Sequence, residues 1–161
     1  MMLTVRDATP DDAVAGCEVM RRSIVELCIT DHGNDPAILG RWLANKTPET
    51  FSAWIAQPDN SLLVAVEDDR VLAVGAVTDS GQITLNYVSP DDRFRGVSRA
   101  MLSALERRAA ERGCTTCNLN STQTARRFYL ANGYSETGRP SGHFGSKAGY
   151  PMSKTLSTAK V

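Results

Sequence analysis

The hydrophobic pattern of this chain changes its period after the first third of its length. Residues 14–28 carry apolar side chains at helical spacing, whereas three apolar runs over 60–88, joined by turn residues, are typical of buried strands. Residues 97–112 return to helical spacing, and a further strand follows over 114–121. Because a helical crossover joins parallel strands, the strands 82–88 and 114–121 are predicted to run parallel in an otherwise mostly antiparallel sheet.

Shorter segments complete the predicted order of elements. Thr9 and Pro10 are typical of a helix start, and the segment 29–36 is predicted to be a loop. The fold class is therefore α/β, more narrowly an α+β mixed sheet flanked by helices, and residues 1–161 form one predicted domain. The remaining predicted elements are a strand over 3–8, short helices over 37–45, 47–57 and 124–133, a glycine-rich loop over 139–149 and a last strand over 150–156.

The charge balance limits the classes of partner. The chain has 18 Lys and Arg against 18 Asp and Glu, which counts against a nucleic-acid or membrane-surface binder. The apolar runs are too short to span a bilayer and residues 1–12 show no secretory signal, so the expected compartment is the cytoplasm. Cys114 and Cys117 have the spacing of a metal site, but no second pair follows. We therefore expect small strand residues in a reducing compartment and no metal.

The turn "DDRFRGVSRA" between the strand 82–88 and the next helix carries more cations than a strand-to-helix turn needs. A helix N-terminus presents free backbone N–H groups, and Gly96 would let an anion approach the backbone without a Cβ in the way. Arg93, Arg95 and Arg99 would add positive charge around a diphosphate. The alternative is a surface turn in which these arginines pair with the acidic residues 91–92. Motifs of the P-loop and of dinucleotide folds are absent from the chain.

Two motifs resemble those of a known family. The run from Arg93 to Ser98 is similar to the pyrophosphate signature of the GNAT superfamily of acyl-CoA-dependent N-acetyltransferases: Arg or Gln, two residues, Gly, one residue, then Gly or Ala. Ser98 departs from the small final position. "TQTARRFYLANGY" is similar to the family's second signature, with Thr122 where Asn or Ser is usual. The resemblance covers nearly the whole chain and is strongest over 82–135.

The resemblance implies a GNAT-like fold that contains one splayed pair of parallel strands, with acetyl-CoA as co-substrate. It places the pantetheine arm along the first strand of that pair and a backbone N–H, here that of Val88, on the thioester carbonyl oxygen. It assigns Tyr129 as the acid for the leaving thiolate, against the alternative of an aromatic residue that packs the helix. The coenzyme-binding residues that it implies are Asn86, Tyr87, Val88, Arg93, Phe94, Arg95, Gly96, Val97, Ser98, Arg99, Thr122, Ala125 and Phe128.

The base and the acceptor site stay open at this point. Some family members carry a glutamate eleven residues before the first signature residue, but here that position is Gln82, which cannot act as a base. Other candidates, all on predicted loops or turns, are Asp31, His32, Asp79 and His143. The predicted loops 29–36 and 139–149 are expected to form the walls of the acceptor site, and the glycines of the second loop suggest that it moves.

The leading hypothesis is an enzyme that acetylates a primary amine of a small molecule or of a peptide or protein. The alternative from another class is a non-catalytic acyl-CoA-binding regulator that keeps the fold. A nucleic-acid-binding module that uses Arg107, Arg108 and the arginines of the 93–99 turn is a third hypothesis, and the zero net charge argues against it. The sequence leaves open whether the chain forms a homodimer.

Overall fold

The computed structural model describes residues 2–144 and 147–157, and the side chains of residues 141–148 lie outside that description. The helices are α1 Ala13–Leu27, α2 Ile29–His32, α3 Pro36–Leu43, α4 Pro48–Ala56, α5 Val97–Glu111 and α6 Arg126–Ala131, with single 3₁₀ turns at Pro10–Asp12 and Pro90–Asp92. The strands are β1 Thr4–Asp7, β2 Asn60–Glu67, β3 Arg70–Thr78, β4 Ile83–Val88, β5 Thr116–Ser121, β6 Ser135–Glu136, β7 Ser141–Phe144 and β8 Lys147–Thr155.

The strands form two sheets that meet at one point. The first sheet is antiparallel in the order β1-β2-β3-β4, and the second runs β5-β8-β6 with β7 also paired to β8. Only a single parallel bridge, Gln82 to Asn118, joins β4 to β5, and there the N–H of Asn118 donates to the carbonyl oxygen of Gly81 at 2.9 Å. The predicted splayed parallel pair, and with it the predicted fold class, is confirmed.

A bulge in β4 contributes to the divergence of the two strands. Ala76 pairs with Leu85 whereas Val77 pairs with Ile83, so Thr84 is an extra residue on β4. Such a bulge bends its strand and increases its local twist. Beyond it β4 and β5 make no further ladder, and a wedge-shaped cleft opens between them towards their carboxyl ends.

The core lies on both faces of the first sheet. Helix α5 packs on one face, where Met101 and Leu105 are fully buried. Helices α1 and α4 cover the other face with Met20 and Phe51, which are also fully buried. Burial on both faces explains why β2 and β3 are nearly continuous apolar runs without alternation.

Two predicted loops are wrong. Residues 29–32 form the short helix α2, which ends at Gly33 with a left-handed φ of 58°. The segment 139–149 contains β7 and the start of β8, which pair with each other. A Cβ on Gly149 would collide with the side chain of Asn120, so this glycine permits close packing between β8 and β5. Gly145 lies outside the described residues.

None of the described helices has both the length and the apolar character that a bilayer crossing requires.

Gly81 closes the narrow end of the cleft. Its φ is 89°, and a Cβ there would collide with the carbonyl oxygen of Thr116 on the way into β5. Gly113 offers a matched control, because its φ is 90° and nothing lies within 4 Å of its Cβ position. Gly113→Ala should therefore lower the free energy of unfolding by the backbone strain alone, about 1–2 kcal/mol.

Gly81→Ala should lower the free energy of unfolding by about 1–3 kcal/mol more than Gly113→Ala does, because the new methyl group collides with the backbone of β5. Urea denaturation of both variants measures the difference. Equal losses would show that the approach of β5 to Gly81 does not constrain the fold.

Candidate active site

The cleft between β4 and β5 opens into a cavity of about 780 Å³. One end lies at the N-terminus of α5, and the other lies beside α6 and the end of α1. The cavity brings together residues from both sequence motifs and from the intervening strands. Of the sequence-predicted residues, those that line it are Asn86, Tyr87, Val88, Arg93, Phe94, Gly96, Ser98, Arg99, Thr122, Ala125, Phe128 and Tyr129.

The N-terminus of α5 forms one end of this cavity. Gly96 is the residue that precedes the helix, with a φ of 80°, and nothing lies within 4 Å of its Cβ position. The N–H groups of the first turn have no partner within the helix, and the first turn carries no acidic residue. Partial positive charge and free donors therefore face an open space that a phosphate could fill.

Arg95 does not line the cavity. Its guanidinium donates to Asp92 at 2.6 Å and to Glu67 at 3.0 Å, and Arg70 holds the same Asp92 at 3.2 Å. Burial raises the pKa of Asp92, but the hydrogen bonds from Arg70 and Arg95 outweigh it, and the pKa lies below its ordinary value. The sequence predicts that Arg95 adds positive charge around a bound anion, but its guanidinium is used by Asp92 and Glu67 instead. This arginine fixes the turn, as in the surface-turn alternative.

Val97 is also turned away from the cavity. Its side chain is 2 % exposed and packs in the core under α5, so only its backbone N–H can reach an anion. Arg93 and Arg99 keep side chains along the cavity wall. The guanidinium of Arg93 lies 4.6 Å from the ring centroid of Phe94, which is 92 % exposed.

The backbone of β4 presents polar groups to the cleft. The N–H of Ser89 donates to the carbonyl oxygen of Leu72 at 2.8 Å, and Val88 is paired with Ala73. Because bonded and non-bonded pairs alternate in an antiparallel ladder, the N–H and C=O groups of Val88 and Asn86 point away from β3, towards β5. No ladder to β5 occupies them there, so an extended ligand could bond to this edge.

Tyr129 is 6 % exposed and reaches the cleft from α6. Its phenol oxygen accepts a hydrogen bond from the amide nitrogen of Asn86 at 3.0 Å, and its ring contacts Phe128 and Tyr134 edge-on at 5.3 and 5.5 Å. Burial raises the pKa of Tyr129 to about 12. The hydroxyl therefore keeps its proton at neutral pH, and that proton remains available to a ligand because Asn86 uses the oxygen.

Asp31 holds the start of the segment that carries Tyr129. Its carboxylate is fully buried and accepts from the backbone N–H of Gln123 at 2.7 Å and of Thr124 at 3.2 Å. Thr122 adds a second cap, because its hydroxyl accepts from the N–H of Ala125 at 3.0 Å. Asp31 is thus a structural residue here and does not face the cavity.

The other base candidates with described side chains are also placed elsewhere. Nδ1 of His32 accepts the N–H of Asn34 at 2.9 Å, so Nε2 carries the proton and donates to the carbonyl oxygen of Ile24. Asp79 pairs with Arg112 at 3.5 Å, and Gln82 lies at the closed end of the cleft. The side chain of His143 lies outside the described residues.

The sequence predictions missed Asn120. Its amide oxygen is buried and has no hydrogen-bond partner among the described residues, and the residue lines the cleft from β5. Its partner in β8 is Pro151, which has no N–H to offer. A buried acceptor without a donor is unfavourable, so this oxygen fits a ligand that brings an N–H group. The alternation of side chains along a strand could have indicated this residue, because Asn120 lies on the face of β5 opposite to that of the buried Cys117 and Leu119.

The end of α1 and the residue after it form another wall that the sequence predictions missed, namely Ser23, Leu27 and Cys28. Burial raises the pKa of Cys28 to about 12, so the thiol is neutral and contributes apolar surface. Among the described residues, no three His, Cys, Asp or Glu side chains lie close enough together to hold a metal ion.

Comparison with known proteins now identifies the family. Residues 30–156 match the family model described as an acetyltransferase (GNAT) domain. The chain belongs to the GNAT acetyltransferase family. A search of curated proteins finds no significant match.

Solved structures show the same fold as this GNAT domain. A GCN5-related N-acetyltransferase from Rhodopseudomonas palustris is 23% identical, with a TM-score of 0.85 and 97% of each chain covered. The PaiA N-acetyltransferase from Thermoplasma acidophilum, in complex with coenzyme A, is 17% identical, with a TM-score of 0.82 over 97% of this chain and 100% of the other. The ribosomal-protein-S18-alanine N-acetyltransferase from Escherichia coli is 19% identical, with a TM-score of 0.71 over 99% and 97%.

Proposed function

We propose that this GNAT domain transfers an acetyl group from acetyl-CoA to a primary amine of a small molecule or a peptide. The observation that carries the proposal is that one cavity joins the N-terminus of α5, the candidate anion-binding end, to the buried hydroxyl of Tyr129. The co-substrate supplies a thioester, whose carbonyl carbon is attacked by the amine.

The anion-binding end would hold the diphosphate. The backbone N–H groups of residues 94–99 donate to it, and Gly96 leaves room for its close approach. Arg93 and Arg99 add charge from the cavity wall. The pantetheine amides would bond to the free edge of β4 at Asn86 and Val88, and one of them supplies the donor that Asn120 needs.

The residues of the cleft then assist the transfer. The amine nitrogen forms a bond to the carbonyl carbon and the carbon–sulfur bond breaks. The carbonyl oxygen gains charge on the way, and the N–H of Val88 stabilises it. The surplus proton of the amine passes to water, because among the side chains that the structure describes no carboxylate or imidazole lines this cavity.

Tyr129 acts on the leaving sulfur. Its pKa of about 12 lies well above that of an ordinary thiol, about 8.5, so the proton stays mainly on the phenol. We therefore assign to Tyr129 a hydrogen bond to the developing thiolate rather than complete proton transfer. Asn86 orients the phenol through its own hydrogen bond at 3.0 Å.

The anion site is tested by a charge placed at Gly96. Gly96→Glu should weaken CoA binding by at least about 30-fold, because like charges in contact cost several kcal/mol. Gly113→Glu is the matched control: it has a similar positive φ and open surroundings, but lies beyond the C-terminal end of the same helix. Isothermal calorimetry with CoA measures both. Equal affinity of the two variants would locate the diphosphate elsewhere.

The role of Tyr129 is tested by removing its hydroxyl. Tyr129→Phe should lower kcat by about 10- to 150-fold, the value of one hydrogen bond to a charged group, while leaving CoA affinity unchanged. Tyr134→Phe controls for the loss of a neighbouring buried hydroxyl, since that group donates to Glu106 at 2.8 Å, outside the cavity.

Thiol release from acetyl-CoA with a good acceptor measures kcat. A loss larger than this, up to about 10⁴-fold, would indicate complete proton transfer. An unchanged kcat would remove Tyr129 from the mechanism, and tight CoA binding without turnover on any acceptor would favour a non-catalytic acyl-CoA-binding protein.

A further inference from the structure

A second cavity, of about 980 Å³, lies beside β4, next to α3 and α4. It is enclosed by α3, by the segment that follows it, by the end of α4 and by strands β3 and β4. The two cavities share Thr84, Leu85 and Tyr87 as wall residues. These residues flank Asn86, which holds the hydroxyl of Tyr129. The second cavity therefore reaches β4 at the level where the transfer would occur.

A buried cation marks this cavity. Lys46 is 6 % exposed, and its ammonium donates to the carbonyl oxygen of Trp42 at 3.3 Å and to the amide oxygen of Asn45 at 2.7 Å. Both acceptors are neutral, and none of the ion pairs among the described residues includes Lys46. Arg21 fixes the backbone here, donating to the carbonyl oxygens of Leu43 at 3.1 Å and of Lys46 at 3.2 Å.

The neutral acceptors do not fully compensate for the burial of this charge. The carbonyl of Trp42 belongs to the last turn of α3, where a cation is favourable, yet burial still lowers the pKa of Lys46 to about 8. An anion beside the ammonium would restore the interaction that water provides outside. The other described charges of the cavity are Arg41 and Asp59, both exposed, so the cations outnumber the carboxylates.

One part of the wall is flat and apolar. Trp42 and Trp54 line the cavity together with Ile38 and Leu85. The indole N–H of Trp42 donates to the phenol oxygen of Tyr87 at 3.2 Å, which holds its ring in place against β4. Aromatic walls of this kind pack well against a ring or a flat apolar frame.

We propose, on the basis of the function proposed above, that this second cavity receives the acceptor and that the acceptor carries an anionic group. Lys46 and Arg41 hold that group, a carboxylate or one of similar charge, and the frame of the acceptor packs against Trp42 and Trp54. The amine points to β4 at the other end. Polyamines and aminoglycosides are poor acceptors in this scheme, because they would bring further positive charges to a buried ammonium.

Binding is tested first without catalysis. The probes are para-aminomethylbenzoate and para-aminomethylbenzamide, which share the ring and the primary amine and differ in one charge. With CoA present, the benzoate should bind at least about tenfold more tightly than the benzamide, because only the benzoate places a negative charge against the ammonium of Lys46, whereas the benzamide offers a neutral carbonyl oxygen. Calorimetry measures the affinities. A change in tryptophan fluorescence shows that the probe binds in this cavity, since both tryptophans of the chain line it.

Variants connect the preference to the cavity. Lys46→Met keeps the apolar stem and should remove most of the preference for the benzoate while changing the benzamide affinity much less. Because Lys46 also bonds to the end of α3, circular dichroism checks the fold, and the exposed Arg41→Met provides a second variant, which should reduce the preference in part. Equal affinity of the unsubstituted protein for the two probes, or tighter binding of spermidine, would overturn the inference.

Turnover separates this inference from the proposed function. If thiol is released from acetyl-CoA equally well with the benzamide or spermidine, the transfer stands and the anionic acceptor is wrong. If the benzoate binds preferentially in this cavity but no amine releases thiol, the anion site stands and the proposed transfer is wrong.

Discussion

The contact at Gly81 is the constraint on which the rest of the site depends. Strands β4 and β5 meet only there, through the bridge between Gln82 and Asn118, and a side chain at residue 81 would keep them apart. Closure at this end and the bulge at Thr84 produce a wedge, and the wedge is the cleft. The N-terminus of α5 and the segment 122–129 follow these two strands directly, so each delivers its functional groups to the open end.

Two buried carboxylates stabilise the loops at that open end. Asp92 accepts hydrogen bonds from Arg70 and Arg95 and so fixes the turn before α5. Asp31 accepts hydrogen bonds from the first N–H groups of the segment that carries Tyr129. Neither carboxylate lines the cleft. Both act on geometry, because they fix where the helix N-terminus and the phenol lie. Ion pairs also neutralise part of the basic cluster that suggested a nucleic-acid-binding module. Arg95 pairs with Asp92, and Arg108 pairs with Asp7 at 2.9 Å.

Most of the fold could be predicted from the sequence because its signals are local. Apolar period and turn residues indicated β2, β3, β4 and α5, and the strand–helix–strand order implied the parallel pair. The position of the cleft followed from the same pattern. The partners of Asp31 could not be predicted, since those contacts join segments up to 93 residues apart. The second cavity was missed for a similar reason: Lys46 stands out only once α3, α4 and β4 are packed together.

In the proposed complex one ligand lies along β4, with its anionic end at α5 and its sulfur at Tyr129. A crystal structure of the complex with CoA tests this most directly. We expect the diphosphate within hydrogen-bond distance of the N–H groups of residues 94–99, and the sulfur between β4 and β5 within hydrogen-bond reach of the Tyr129 hydroxyl. A coenzyme bound with its diphosphate away from α5, or with its sulfur on the far side of β4 from Tyr129, would contradict the account.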